Sequence, residues 1–281
     1  MKSNNILFYT SGLGNALFQF AGLISIARIN LEEIEAYDYL TKKNQITTLL
    51  RWTIHHNYVN KENINLKKMN VLGYYALFLL FIKTYIKKIK VLKHNCSKGK
   101  SSNSFSYSKV NIFGSNYYFG YFQDKLYLTR EAGKKLTSKL LGEDLLKNKI
   151  DKNSLVIHIR QGDFSSKIQL DYSYYVKAIN YISRNQTNDI ENIYIVGIYS
   201  NTIFKKISDL VKSNFTKSKI IAPKGNALID FITIWNSEYS ISSNSTFSFW
   251  STYYGNSKMN CYPKIFRKYT MEKDEKIMEL I

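Results

Sequence analysis

Residues 155–163 read Leu-Val-Ile-His-Ile-Arg-Gln-Gly-Asp, and they predict how the second half of the chain folds. The first five form an apolar run broken only by His158, which is typical of a strand that is buried on both faces. Because side chains alternate along a strand, His158 and Arg160 are expected on the same side at its end. Gly162 permits a sharp turn that presents Asp163. The pattern predicts a central parallel strand with three polar groups at its carboxyl end.

Downstream of this strand, helical and strand patterns alternate. The helical segments are marked by Tyr172, Tyr175, Ile179 and Ile182, by Phe204, Ile207 and Val211, by residues 227–235 and by the chain from Thr246 onward. The strand segments are residues 193–196, 220–222 and 239–241. Strands that alternate with helices of this length indicate right-handed βαβ units and a parallel sheet.

The amino-terminal half begins with a similar unit. Residues 6–9 predict a strand, residues 12–15 (Gly-Leu-Gly-Asn) a tight loop, and an apolar face at Leu13, Leu17, Phe20, Ile24 and Ala27 a helix. From residue 31 to 150 the pattern is helix-rich and irregular, and residues 147–152 are polar, as in a linker. We therefore predict two α/β domains, residues 1–150 and 151–281, with a cleft between them.

The chain is strongly basic, with 40 Lys and Arg against 21 Asp and Glu, a net charge of +19 and a pI near 9.6. Only six of the basic residues are arginine, the residue that dominates forked recognition of bases and phosphates, so nucleic acid is not the expected partner. Such a surface is still drawn to anionic lipid and anionic substrates.

The location of the protein is predicted from its cysteines and its amino terminus. Cys96 and Cys261 are far apart and have no Cys or His partner at metal-ligand spacing, which excludes a disulfide-rich scaffold and a cysteine-based zinc site. The amino terminus lacks the pattern of a secretory signal. We therefore predict a cytoplasmic protein.

The most apolar segment is residues 71–82, Val-Leu-Gly-Tyr-Tyr-Ala-Leu-Phe-Leu-Leu-Phe-Ile. It is too short to cross a bilayer, which takes about 20 residues. Lysines follow it at positions 83, 87, 88, 90 and 93. Two interpretations remain open: a buried core helix with a solvated end, or a helix that lies peripherally on an anionic membrane.

Three loops that follow predicted strands carry the candidate functional residues. Gly12 and Gly14 allow backbone N–H groups to approach a phosphate or a sugar at a helix N-terminus. Arg160 requires a fixed anion, which is either Asp163 or a phosphate of a ligand. The run Ser-Ser-Asn-Ser-Thr at residues 242–246 either only caps the next helix or also donates hydrogen bonds to a phosphate.

Together, these segments resemble the ordered motifs of the glycosyltransferase family 11 α-1,2-fucosyltransferases. The family has a Gly-Gly-Leu-Gly-Asn opening, a His-x-Arg-Arg-Gly-Asp strand end and an Asn-Ser-Thr-Phe-Ser-Trp-Trp helix start, which residues 11–15, 158–163 and 244–250 resemble in order and spacing. Residues 174–179 also resemble its Tyr-Tyr-x-x-Ala-Ile helix. The likeness covers nearly the whole chain.

The resemblance implies an α/β fold of the GT-B type, with two Rossmann-like lobes that face a cleft. It also implies inverting transfer of L-fucose from GDP-β-L-fucose to the 2-hydroxyl of a galactoside, in bacterial surface glycan synthesis. The carboxy-terminal lobe then binds the nucleotide sugar and the amino-terminal lobe the glycan acceptor. The donor-binding residues are expected to be Gly12, Gly14, Asn15, Arg160, Asn244, Ser245 and Thr246.

The catalytic residues are expected to be Arg160, Asp163 and His158. No Asp-x-Asp sequence is present to bridge a divalent cation to a diphosphate, so we expect a metal-independent enzyme without a cofactor, in which Arg160 neutralises the leaving β-phosphate. Asp163 and His158 are both candidates for the base, and either can instead orient Arg160. A sufficiently dissociative reaction needs no strong base.

The sequence departs from the family pattern at three places. Gln161 replaces the second arginine, Phe249 replaces a tryptophan, and Gly-Ile-Tyr-Ser-Asn at residues 197–201 replaces Phe-Ser-Asp-Asp. Two alternative functions therefore remain: a GT-B enzyme with a different nucleotide sugar, and a non-catalytic basic protein that binds polyanions.

Overall fold

A computed structural model describes residues 4–9, 12–38, 65–67, 70–96, 107–120, 122, 127–147, 150–151, 153–161, 169–223, 226–264 and 277–280. The chain forms two compact units, residues 1–141 and 142–281. Both are of the α/β class with a mainly parallel sheet, so the prediction of two Rossmann-like lobes is confirmed.

The first unit is built on a sheet with the strand order β3-β2-β1-β5-β4 among the described residues. Its strands are β1 (Asn5–Tyr9), β2 (Ile34–Asp38), β3 (Asn65–Lys67), β4 (Tyr107–Ile112) and β5 (Ser115–Gly120). Its helices are α1 (Leu13–Ala27), α2 (Val71–Cys96) and α3 (Arg130–Leu141), with a 3-10 turn at Leu31–Glu33. Of the strands that the structure describes in this unit, only the edge strand β4 is antiparallel to its neighbour.

The second unit has the strand order β11-β10-β9-β6-β7-β8, and the pairings between these described strands are all parallel. The strands are β6 (Ser154–Arg160), β7 (Asn192–Ile198), β8 (Lys219–Ile221), β9 (Tyr239–Ile241), β10 (Met259–Pro263) and β11 (Ile277–Leu280). The helices are α4 (Glu143–Leu146), α5 (Tyr172–Asn185), α6 (Asn201–Asn214), α7 (Ala227–Asn236) and α8 (Thr246–Tyr253).

The division between the units lies nearer the amino terminus than residue 150, where the sequence places it. The short helix α4 packs against α7 of the second unit, and the Asn236 side-chain amide donates a hydrogen bond to the Leu146 carbonyl at 3.0 Å. Helix α4 is therefore part of the second unit.

The region from residue 31 to 150 contains more strand than its sequence indicates. The β4–β5 hairpin turns at Phe113 and Gly114, which have φ angles of 47° and 78°. A bulky residue rarely adopts the left-handed conformation, so the sequence Phe-Gly is not one that predicts a hairpin turn.

Helix α2 contains the apolar segment, which the sequence predicts to be either a core helix or a helix on a membrane surface, and the structure shows that it has one buried face and one exposed face. Ala76, Leu77 and Leu80 are buried with Ile6 and Phe8 of the first sheet, so one face does belong to the core. The opposite face is exposed. Among the helices that the structure describes, none is both long and apolar enough to cross a membrane.

Candidate functional site

Strand β6 is the point at which the connection order of the second sheet reverses. The chain runs from β6 outward to β7 and β8, and then returns to β9 on the other side of β6. The loops that follow β6 and β9 consequently diverge, and in open parallel sheets the crevice at such a switch point is where ligands bind. The loops with Arg160 and with residues 242–246 both begin here, as β6 pairs directly with β9.

His158 connects these two loops. Its side chain is only 2% exposed, and Nδ1 lies 2.7 Å from the Ser243 hydroxyl. Burial, followed by the positive charge of Arg160, lowers the pKa of His158 to about 3. The imidazole is therefore neutral at physiological pH and bound to the loop of residues 242–246, which we call the serine loop. It is also a weak base.

The hydroxyl groups of the serine loop are mostly used within the protein. Ser245 is the N-cap of α8, because its hydroxyl accepts a hydrogen bond from the Phe247 amide at 3.3 Å. The Ser242 hydroxyl lies 3.1 Å from that of Thr252. Asn244 and Thr246 are half-buried, and their side chains are the members of the run that reach the surface. Capping thus accounts for the hydroxyl of Ser245.

Arg160 is the last residue of β6 and is half-buried. The next residue, Gln161, ties this strand end to the neighbouring one: its side-chain oxygen accepts a hydrogen bond from the Ser200 amide at 2.9 Å, and its own amide donates to the Ile198 carbonyl at 2.7 Å. Gln161 therefore supports the loop that begins helix α6, a structural role for a position at which the sequence departs from the family pattern.

Asp230, which the sequence interpretation did not single out, lies beside the end of β7. Its carboxylate accepts a hydrogen bond from the Gly197 amide at the end of β7, yet burial outweighs this contact and raises the pKa of Asp230 to about 6. Its charge also contributes to raising the pKa of Tyr199. The available signal was a single carboxylate in an otherwise apolar helical segment, Ala-Leu-Ile-Asp-Phe-Ile-Thr-Ile-Trp.

Gly197 allows these groups to approach one another. It has a φ angle of 108°, and an added Cβ atom would lie 2.2 Å from the Ile159 carbonyl oxygen and 3.1 Å from Nε2 of His158. A side chain at this position is excluded on both counts. The departure at residues 197–201 therefore includes a glycine that the packing requires.

Residues 12–15, which we call the glycine loop, follow the central strand of the first unit, as the Arg160 loop follows that of the second. This loop follows β1, on whose two sides the chain places β2 and β5, so it also begins at a switch point. Gly12 is the N-cap of α1 with an ordinary φ of −64°, and a Cβ atom there would meet nothing within 4 Å. Gly14 is buried in the first turn of α1, and Asn15 is half-buried. Within the part of the chain that the structure describes, no backbone angle or neighbouring atom requires a glycine at position 12.

The structure therefore brings part of the predicted site together. His158, Arg160 and residues 243–246 lie at adjacent strand ends of the second sheet. The glycine loop belongs to the other unit. Asp163 lies outside the described residues. Within the described part of the chain, no three His, Cys, Asp or Glu side chains are grouped as metal ligands would be.

Comparison with known proteins finds similarity to two sugar-transferring enzymes. An α-1,2-colitosyltransferase of Escherichia coli is 27% identical over 267 residues, which are 87% of this chain and 85% of that protein. Two structures of the heptosyltransferase WaaC of E. coli share 10% identity with this chain, and each alignment covers 98% of it. The ADP complex aligns with a TM-score of 0.42 over 90% of its own chain. The complex with ADP-2-deoxy-2-fluoro heptose aligns with a TM-score of 0.40 over 92% of its own chain.

The family itself is shown by a sequence model described as Glycosyl transferase family 11, which matches residues 5–276. The match includes the glycine loop, the β6 strand end and the serine loop. The protein is a glycosyltransferase and belongs to glycosyl transferase family 11.

Proposed function

We propose that this protein transfers L-fucose, with inversion, from GDP-β-L-fucose to the 2-hydroxyl of a galactoside, which forms an α-1,2 linkage. The observation that carries this proposal is the position of Arg160 at the end of β6, beside the switch point and next to the His158–Ser243 pair. A cation at this point suits a diphosphate leaving group. The α-1,2 linkage in the name of the E. coli relative supports the type of bond formed.

Arg160 binds the β-phosphate in this mechanism. As the bond between the sugar and the phosphate oxygen breaks, negative charge grows on the diphosphate, and a fixed guanidinium stabilises it more than it stabilises the ground state. Asn244, Thr246 and the N-terminus of α8 donate hydrogen bonds to the same phosphates. Ser245 contributes indirectly, since its hydroxyl holds the first turn of that helix. These groups replace a divalent cation.

His158 acts as a positioning residue. A neutral, buried imidazole bound to Ser243 fixes the end of β6 relative to the serine loop, and thus Arg160 relative to the phosphate donors. With a pKa of about 3 it is poorly matched to proton abstraction near pH 7. We assign Asp163 to orienting Arg160. The acceptor hydroxyl loses its proton late, in a transition state that resembles an oxocarbenium ion.

Asp230 supports a guanine nucleotide. A base that is bound beside the switch point lies near the end of β7, where Asp230 accepts the Gly197 amide. Guanine presents two N–H donors side by side on one edge, and a carboxylate accepts both, whereas adenine presents an acceptor there. Asp230→Asn is accordingly expected to weaken the preference for guanine over adenine nucleotides.

The glycine loop is proposed to contact the sugar or the acceptor. The open space beside Gly12 is then filled by substrate, and this gives a direct prediction. Gly12→Ala is expected to leave thermal stability almost unchanged, since φ is ordinary and no neighbour is displaced. Activity is expected to fall at least about tenfold, because a methyl group holds substrate away from the backbone amides.

The matched control for this prediction is Gly142→Ala. That glycine also has open space around it, but it lies at the start of α4 with a φ of 94°, so the substitution is expected to reduce stability and to leave the activity of the folded protein intact. Thermal unfolding and initial transfer rates are measured for both variants. Full activity in Gly12→Ala would remove this loop from the substrate site.

GDP-colitose is a second candidate donor, and the observation that favours it is the name of the colitosyltransferase relative. Colitose is L-fucose without its 3-hydroxyl group, so the two donors test the same site with and without one hydrogen-bonding group. An enzyme that binds the 3-hydroxyl rejects the deoxy sugar by about 10⁴-fold, whereas one built for the deoxy sugar discriminates much less.

A donor panel tests the proposed function. Thermal shifts are measured with GDP-fucose, GDP-colitose, GDP-mannose, UDP-galactose and CMP-sialate, and a donor at about 100 times its dissociation constant is expected to add about 2.7 kcal/mol to stability. Transfer to galactosides follows, with the linkage determined by NMR, and with and without EDTA. We expect an α-1,2-fucosyl product that is insensitive to EDTA. Stabilisation by a non-guanine nucleotide sugar alone would contradict the proposal.

A further inference from the structure

A continuous apolar surface runs along the solvent side of α2. It is formed by large side chains with between 43% and 87% of their surface exposed: Val71, Tyr74, Tyr75, Phe78, Phe81 and Ile82. Spacings of three and four residues place them on one side of the helix, which we call the apolar face of α2. Exposed hydrophobic residues are ordinary when they are scattered, but a contiguous set marks a surface that meets another apolar phase.

The β4–β5 hairpin, which packs against α2, also exposes an aromatic side chain. Phe113 is 91% exposed at the β4–β5 turn, with a φ angle of 47° that a phenylalanine rarely adopts. The preceding residue, Ile112, packs in the same core cluster as Ala76 and Leu77 of α2. The hairpin and the first half of the helix are therefore built on the same hydrophobic core, and both present aromatic side chains to solvent.

Positive charge adjoins the apolar face. Lys83 is exposed, and its ammonium group donates a hydrogen bond to the carbonyl of Lys109, itself an exposed lysine of β4. The second half of α2 carries four further lysines, at positions 87, 88, 90 and 93, and the helix contains no acidic residue. This charge selects a partner that is anionic.

From the combination of these features, we propose that the apolar face of α2 docks on an anionic phospholipid surface. The aromatic side chains enter the headgroup region, where a tyrosine keeps its hydroxyl in contact with water, and the lysines lie against lipid phosphates. A helix with one apolar and one basic region matches a bilayer surface, which is itself apolar beneath and charged above. The inference does not depend on which sugar the enzyme transfers.

Vesicle co-sedimentation of the full chain tests the proposal. Binding is measured to phosphatidylcholine vesicles and to vesicles of phosphatidylcholine and phosphatidylglycerol in equal parts. We expect binding to the anionic vesicles that weakens with salt. In the Tyr74→Ser/Phe78→Ser variant, the partition coefficient is expected to fall at least about tenfold, since two exposed aromatic side chains no longer leave water. Both positions are exposed, so the fold is expected to persist.

The matched controls distinguish vesicle binding through the apolar face of α2 from nonspecific hydrophobic adsorption and from the effect of net charge. Ile229→Ser removes an apolar side chain that is 45% exposed in the second unit, and it is expected to leave binding unchanged. Lys87, Lys88 and Lys90 changed together to Glu are expected to weaken binding by about fivefold or more per residue. The triple variant Lys212→Glu, Lys217→Glu and Lys219→Glu has the same net charge, and it is expected to bind much more tightly than the α2 triple variant.

A fluorescence readout tests insertion directly. Phe78→Trp is expected to show a blue-shifted emission with anionic vesicles and quenching by brominated acyl chains, once the signal of the native tryptophans is subtracted. Unchanged binding in Tyr74→Ser/Phe78→Ser, or equal losses in the two lysine variants, would overturn the proposal. It would equally be overturned by self-association through Tyr74 and Phe78 without vesicle binding, which analytical ultracentrifugation detects.

Discussion

Replacement of Arg160 with alanine is expected to reduce the turnover of the folded enzyme by about 10²–10³-fold, the usual effect of removing one preorganised group from a developing negative charge. Arg160→Lys is expected to recover only part of this loss. A lysine keeps the positive charge, but it is a point charge on a flexible stem and cannot form two parallel hydrogen bonds to a phosphate. Initial rates at saturating donor measure the effect on turnover, and titration with GDP measures the effect on binding.

The control for this prediction is Arg184→Ala. Arg184 is the other arginine among the described residues of the second unit, and it is exposed in the last turn of α5. Its loss removes the same charge from the same unit, and it is expected to leave both turnover and GDP affinity unchanged. If Arg160→Ala retained wild-type turnover, or if both arginine variants lost activity equally, the β-phosphate role of Arg160 would be wrong.

The second half of the chain could be predicted in detail because its strands are buried on both faces. The continuous apolar runs at residues 155–159 and 193–196 stand out from the amphipathic helices between them, and β6 and β7 lie within one or two residues of those limits. What the pattern could not provide is the order of the strands. The contact between His158 and Ser243 depends on β9 returning to the free side of β6.

Other features were missed for local reasons. Asp230 is held beside the end of β7 by the backbone amide of Gly197, and neither residue is part of a motif that marks such a contact. Strand β10 contains a buried asparagine, Asn260, which is hydrogen-bonded to Ser240 of β9, so its sequence lacks the apolar run of a central strand. Helix α2 extends 14 residues beyond the apolar segment, since lysine is a good helix former.

Acid is expected to destabilise the second unit through His158. In the unfolded chain this residue gains a proton near its ordinary pKa of 6.5, whereas in the folded protein it stays neutral down to about pH 3. Between pH 6.5 and about pH 3, His158 therefore binds a proton in the unfolded chain but not in the folded protein. The stabilising contribution is complete above pH 6.5 and is lost as the pH falls toward 3, at up to about 1.4 kcal/mol per pH unit.

Asp230 has the opposite effect over part of the same interval. Its pKa is raised from 3.8 to about 6, so the folded protein gains a proton before the unfolded chain does. This costs stability at neutral pH, and the cost disappears as the pH falls from 6 toward 3.8. In the wild-type protein the two contributions largely cancel within that range, and the loss due to His158 becomes visible below it.

Two substitutions are expected to separate these contributions. Asp230→Asn removes the opposing term, so the free energy of unfolding is expected to fall between pH 6 and pH 3.8 by about 1 kcal/mol per pH unit more steeply than in the wild type. His158→Asn keeps a hydrogen-bonding atom near Ser243 but cannot be protonated, and its slope is expected to be reversed relative to Asp230→Asn. Urea unfolding curves across the pH series measure both. Parallel pH profiles for the wild type and the two variants would show that neither group titrates as its buried position requires.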